Sequence, residues 1–99
     1  PTYLENFTKM LTEIIEIKYK GIIHLAGPEK MSRYDFAKKM VSLSNFKNTS
    51  LIPVSCNEFN FSKKMPKDSS LNTEKASSLL LNRPENVEIS LKKYLKSIL

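Results

Sequence analysis

The chain has 99 residues, of which 40% are hydrophobic and 26% are charged, as in one small globular domain. No apolar run reaches the ~20 residues that a membrane-spanning helix needs. The only cysteine, Cys56, has no partner for an intrachain disulfide. We therefore expect a reducing compartment, by default the cytoplasm.

The formal net charge is +6, because 16 lysines and arginines outnumber 10 acidic residues. Arg33 and Arg83 are the only arginines, although the planar guanidinium is the group that best recognises phosphates and bases. The lysine excess therefore favours a solvated surface that steers anions weakly. A small basic nucleic-acid-binding domain is the less favoured alternative.

The first predicted element is a helix that begins with the capping box of Thr2 and Glu5 and ends near Lys18. Its apolar residues recur at helical spacing, and we expect them to face the core. They are Leu4, Phe7, Leu11 and Ile14.

A short apolar run after Gly21 predicts a strand over residues 22–26 that is buried on both faces. His24, the only histidine, lies inside this run. A lone histidine in such a place is more often a packed core residue than a base or a metal ligand, so we expect His24 to be buried.

Ser32 and Asp35 form a second capping box, which predicts a helix over residues 33–44. The apolar residues of this helix fall on one face and are expected to be buried. They are Phe36, Ala37, Met40 and Val41.

The second half of the chain predicts an edge strand over residues 51–55, interrupted by Pro53, and a short helix capped by Asn72 or Thr73. A last helix begins near Asn86. Its apolar face carries Val87, Leu91, Tyr94, Leu95 and Ile98.

The sum is an α/β fold of about four or five helices and two or three short strands. So few strands do not make an independent sheet. We therefore expect residues 1–99 to be one partial domain of a larger α/β protein.

Five segments occur in the order and with the spacing of one known family, and the closing helix matches as well. In these segments the sequence resembles the carboxy-terminal part of the dTDP-4-dehydrorhamnose reductase family. The regulatory beta subunit of methionine adenosyltransferase is similar over the same region, so a non-catalytic binding or regulatory module is an alternative. The segments are residues 1–4, 21–27, 32–37, 52–55 and 66–75.

The resemblance implies an extended short-chain reductase, in which an amino-terminal Rossmann half binds NADP(H) or NAD(H). In that family a tyrosine and a lysine of the same half transfer the proton, and the nicotinamide gives a hydride to the 4-keto group of dTDP-4-dehydro-L-rhamnose. The present chain would be the substrate side, inactive without the Rossmann half and with a nucleotide-sugar as its ligand. Without a partner sheet, we expect it to be marginally stable or to self-associate.

Two patterns typical of such reductases are predicted not to be functional here. Tyr34 and Lys38 have the Tyr-x-x-x-Lys spacing, but no dinucleotide-binding unit precedes them, so a surface pair on a helix is favoured. Gly21 and Gly27 are the only glycines, and His24 stands where a phosphate-cradling turn needs a third. We predict no catalytic, cofactor-binding or metal-ligating residue in this chain.

The loop over residues 60–70 is the predicted substrate-binding site, because aromatic rings and cations together can stack on a base and neutralise phosphate. The alternative is a solvated lysine loop in which Asp68 bonds the local backbone. Met65 stands where family members usually carry an arginine, and a thioether cannot pair with phosphate. The predicted site residues are Phe61, Lys64, Lys67, Asp68 and Ser69.

Overall fold

Residues 1–45, 48–55 and 66–98 are described by the structure, a computed structural model. The regular secondary structure of these ranges is entirely α-helix, with no strand, so the predicted α/β fold with two or three short strands is wrong. The helices are α1 (Leu4–Glu16), α2 (Arg33–Leu43), α3 (Glu74–Leu79) and α4 (Val87–Ile98).

The first predicted strand, residues 22–26, alternates between the core and solvent. Ile23 and Leu25 pack against the core, whereas Ile22 is 78% exposed and His24 is exposed. The predictions of a strand buried on both faces and of a buried His24 are therefore wrong. A strand needs a neighbour to accept and donate its backbone hydrogen bonds, and within the described ranges this segment has none.

The second predicted strand, residues 51–55, is also unpaired in the described part of the chain. Ile52 and Val54 are exposed, and Leu51 is half-buried. The spacing of Ser55 and Glu58 predicts one helical turn after this segment, and that turn falls mostly outside the described residues.

Helix α1 presents the opposite face to the core from the one its sequence predicts. Leu4, Leu11 and Ile15 lie on one side of the helix and are 76%, 42% and 68% exposed. The buried residues of the helix are Met10 and two polar residues, Asn6 and Glu13. The expectation that the apolar stripe faces inward is wrong for Leu4 and Leu11, while Phe7 and Ile14 are half-buried.

The core is small and joins α1 to α3. Met10 of α1 is fully buried against Ala76 and Leu80, and Ile14, Ile23 and Leu25 cover the edge of this cluster. In α4, the inward residues are buried as its spacing predicts. They are Val87, Leu91 and Leu95, whereas Tyr94 and Ile98, which the spacing places on the same face, are exposed.

Polar side chains of α1 hold the connection between α3 and α4. The Glu13 carboxylate, 7% exposed, accepts hydrogen bonds from the backbone amides of Leu81 and Asn82, both at 2.8 Å, and from the Asn82 side-chain amide at 2.9 Å. Asn6 donates to the carbonyl of Arg83 and accepts from the amide of Glu85, each at 3.0 Å. These bonds pair backbone groups that no helix satisfies.

The helix starts agree in part with the predicted caps. Ser32 accepts from the amide of Asp35 at 3.0 Å, which confirms the cap of α2. Asn72 accepts from the amide of Glu74 at 2.9 Å at the start of α3. The cap predicted at Thr2 is wrong, since the N-cap residue of α1 is Tyr3 and no side chain caps it.

The Thr2 hydroxyl instead fastens the N-terminal segment to the middle of the chain. It accepts a hydrogen bond from the backbone amide of Gly27 at 3.0 Å. A Cβ atom at residue 27 would lie only 1.9 Å from the carbonyl oxygen of Pro1. Glycine is thus required here by close backbone approach.

Replacing the buried Glu13 by glutamine tests the polar link to the connection. Glu13→Gln puts an NH2 group opposite a backbone donor, so a buried donor loses its acceptor. We expect the Tm to fall by about 5–10 °C in a thermal melt. Glu16→Gln, an exposed change on the same helix, is the control, and equal Tm shifts for the two variants would contradict the assignment.

The same link predicts a direction for the pH dependence of stability. Hydrogen bonds from the amides of Asn82 and Leu81 hold the pKa of the Glu13 carboxyl below its ordinary value. A lowered pKa in the folded state means that this contribution is complete above the unfolded-state pKa and is lost as the pH falls through the folded-state pKa. In Glu13→Gln, the free energy of unfolding should therefore fall less steeply with decreasing pH than it does in the wild type.

Gly27→Ala tests the contact with the N-terminal segment. The new methyl group collides with the Pro1 carbonyl, so the segment must move and the Thr2 bond breaks. We expect a loss of about 1–3 kcal/mol in the free energy of unfolding, measured in urea. Ser50→Ala, at an exposed position, should leave the stability unchanged; a silent Gly27→Ala would show that the segment is not held.

Candidate functional site

The described part of the predicted substrate loop is an irregular segment, with a bend at Lys67, that leads into α3. Residues 66–72 are all exposed to solvent. Lys67, Asp68 and Ser69 belong to this segment, whereas Phe61 and Lys64 lie outside the described residues. The segment ends where Asn72 accepts a hydrogen bond from the amide of Glu74, the first residue of α3, so its carboxy-terminal end is fixed to a helix.

The Asp68 carboxylate uses both oxygens for contacts within the chain. Oδ1 accepts from the backbone amide of Ser70 at 2.9 Å and from its hydroxyl at 2.6 Å. Oδ2 accepts from the ammonium of Lys30 at 2.7 Å. The hydrogen bond from Lys30, followed by those from Ser70, holds the pKa of Asp68 far below its ordinary value. Asp68 is therefore ionised at neutral pH and fixes the loop.

Residues on both sides of Lys30 in the sequence fix its position. Glu29 accepts a hydrogen bond from the amide of Val87, at the start of α4, at 2.7 Å. Ser32, two residues after Lys30, caps α2. The ammonium of Lys30 is thus presented by a segment anchored to two helices, although the pair with Asp68 is itself solvent-exposed and weak in energy.

Lys67 and Ser69 flank Asp68 and are exposed. A lysine ammonium in this place can neutralise an anionic ligand, and a serine hydroxyl can donate to or accept from it. The hydrogen bond from the Ser70 amide to Asp68 is typical of a structural loop. Asp68 therefore fixes the backbone of the adjacent residues. Binding by the predicted site residues stays a prediction.

A second lysine also ties the neighbouring segment to α3. Lys75 donates from its ammonium to the carbonyl oxygen of Ile22 at 2.9 Å. This bond gives the Ile22 carbonyl a hydrogen-bond donor, which a neighbouring strand would otherwise have supplied. The segment over residues 22–30 therefore contacts both the loop and the helix that follows it.

Tyr34 and Lys38 do meet on α2. The ammonium of Lys38 lies 5.9 Å from the centre of the Tyr34 ring, which is a cation–π distance. Cys56 lies outside the described residues. In the ranges that are described, no cluster of three or more histidine, cysteine or acidic residues could hold a metal ion.

A comparison with protein families identifies the chain. The family model described as the RmlD substrate binding domain matches residues 1–99. The chain belongs to this family. The resemblance to the carboxy-terminal part of dTDP-4-dehydrorhamnose reductase is thereby confirmed. Neither the curated proteins nor the solved structures contain a match.

Membership of this family makes the chain the substrate-side part of a reductase of this kind. A nucleotide-sugar is a fitting ligand for such a domain. Among the described residues, no helix is long and apolar enough to cross a membrane.

Sequence reasoning missed Lys30 as a member of this site. Lys30 lies 38 residues before Asp68, and nothing in the local pattern distinguishes it from the other lysines. Only the folded path of residues 22–32, which is fixed by Glu29 and Ser32, brings the two charges together. No signal in a single sequence would have found this pair.

Asp68→Ala tests the role of the carboxylate in holding the loop. The variant removes the acceptor of the Ser70 amide and the partner of Lys30, so we expect hydrogen exchange at the Ser70 amide to accelerate about tenfold, with little change in Tm. Ser69→Ala is the matched control and should leave this exchange rate alone. Unchanged protection of Ser70 in Asp68→Ala would show that the loop is held by other contacts.

Proposed function

We propose that this chain is the substrate-side part of an NAD(P)-dependent reductase that reduces the 4-keto group of dTDP-4-dehydro-L-rhamnose, and that it is inactive alone. The observation that carries the proposal is the family match over residues 1–99. The substrate and the reaction come from the resemblance, and the geometry of the loop supports a place for the anionic end of the substrate.

The exposed cation at Lys67 supports binding of the diphosphate. Asp68, held by Lys30 and Ser70, fixes the backbone on which Lys67 and Ser69 stand. In the proposal Lys67 neutralises phosphate charge and Ser69 contributes a hydrogen bond. Phe61 and Lys64 belong to the same predicted set.

The cofactor and the proton-transferring tyrosine and lysine belong to a Rossmann half in this proposal. NADP(H) or NAD(H), when bound there, supplies the hydride. The exposed apolar stripe of Leu4, Leu11 and Ile15 supports the presence of a partner surface, because contiguous apolar patches on soluble proteins commonly mark interfaces. A cytoplasmic location and self-association of the isolated chain stay predictions.

A titration with dTDP tests the proposed binding. We expect saturable chemical-shift changes at the amides of residues 67–70 in the 15N-labelled chain. Lys67→Ala should weaken binding about threefold or more, because one cation next to the phosphates is lost. Lys20→Ala removes another exposed lysine and is the control.

Three results would contradict the proposal. The first is the absence of saturable shifts with dTDP. The second is an equal loss of affinity in Lys67→Ala and Lys20→Ala. The third is displacement of dTDP by single-stranded DNA in a steeply salt-dependent manner, which would favour the nucleic-acid alternative.

A further inference from the structure

The predicted substrate loop carries a negative charge next to the lysine that is proposed to bind phosphate. In residues 66–72, Lys67 and Asp68 are the only charged residues, so their charges cancel. They are joined by a trans peptide bond, which places their Cα atoms about 3.8 Å apart. A phosphate that approaches Lys67 therefore also approaches the Asp68 carboxylate, which repels it. This part of the loop has no net charge of its own with which to attract an anion.

Lys30 changes this balance, although it belongs to another segment of the chain. Its ammonium lies 2.7 Å from Oδ2 of Asp68. Two positive charges, on Lys30 and Lys67, and one negative charge, on Asp68, leave one positive charge in excess. The ion pair is exposed and adds little to stability, but the potential that a ligand meets depends on the positions of the charges and not on the energy of the pair.

The ammonium of Lys30 is open to a ligand. The Lys30 side chain is 67% exposed. An ammonium has three N–H donors, and among the described residues Asp68 is the only hydrogen-bond partner of this one. The neighbouring carboxylate of Glu29 accepts from the amide of Val87 at 2.7 Å, so it is held at the start of α4 and does not pair with Lys30.

We propose that Lys30 determines the preference of this loop for an anionic ligand, the phosphates of a nucleoside diphosphate, by offsetting the charge of Asp68. This rests on the proposed function, because it takes the diphosphate of the nucleotide-sugar as the ligand of the loop. Asp68 fixes the backbone through Ser70, and Lys30 removes the repulsion that the same carboxylate brings. Lys30 is thus a specificity-determining residue whose effect is electrostatic.

Titration of the 15N-labelled full chain with dTDP tests this role. Lys30→Gln removes the positive charge and keeps a side-chain N–H that can donate to Asp68. We expect the variant to bind dTDP about fivefold more weakly than the wild type at ~0.15 M salt and less than about twofold more weakly at ~1 M salt, because salt screens exposed charges.

A double variant separates the charge of Lys30 from its structural contact. Lys30→Gln combined with Asp68→Asn removes one charge of each sign, so the excess of one positive charge returns. The asparagine keeps an oxygen that can accept from the Ser70 amide. We expect the double variant to bind dTDP within about twofold of the wild type. If Lys30 acted only by holding Asp68, the second substitution would not restore binding.

Lys96→Gln is the matched control. Lys96 is an exposed lysine in the last turn of α4, so the variant loses the same unit of charge. Along the helix axis it lies about 14 Å from Val87, the residue whose amide bonds to Glu29. This distance exceeds the Debye length of about 8 Å at physiological ionic strength. Lys96→Gln should therefore bind dTDP as the wild type does.

Three results would overturn the proposal. The first is wild-type affinity for dTDP in Lys30→Gln at ~0.15 M salt. The second is an equal loss of affinity in Lys30→Gln and Lys96→Gln. The third is a double variant that stays as weak as Lys30→Gln. In each case, binding to the wild type that depends on Lys67 leaves the proposed function standing, whereas a wild type that does not bind dTDP overturns both proposals.

Discussion

The hydrogen bonds of Glu13 are the interaction on which the arrangement of the helices depends. One buried carboxylate pairs the amides at the end of α3 with a side chain of α1. Asn6, two turns earlier on the same face, pairs the backbone just before α4. The connection between α3 and α4 is therefore held by α1 through polar contacts, while Met10 between them supplies the apolar contact with Ala76 and Leu80.

This arrangement explains why polar residues lie on the inner side of α1. A helix of a small domain normally buries its apolar stripe, and the spacing of Leu4 and Leu11 predicts that result. Here the opposite side carries the two polar residues that must be buried to meet the 81–85 backbone. Periodicity cannot reveal this, because it shows which residues share a face and does not show which backbone groups need partners.

Much of the helical content follows from local sequence. Ser32 caps α2 as predicted, and Val87, Leu91 and Leu95 of α4 are buried as their spacing predicts. The strands were wrong because a strand is not a local property. The apolar composition of residues 22–26 gives an extended segment, but pairing depends on a second segment.

The candidate site also has one part that the sequence predicts and one part that it does not. The family resemblance predicts a substrate site at the loop of Lys67, Asp68 and Ser69. The family match confirms the family, and binding by these three residues stays a prediction. The partner of Asp68 could not be predicted, because Lys30 reaches it only through the folded path of another segment. Long-range ion pairs between exposed residues leave no periodic trace in one sequence.

The Glu13 link also places unequal limits on how the sequence can vary. At residue 81 only the backbone amide takes part, and the Leu81 side chain is 92% exposed. Almost any residue except proline, which has no amide proton, can serve there. Residue 13 must place two acceptor oxygens at a fixed distance from the helix. Substitutions are therefore tolerated far better at residue 81 than at residue 13.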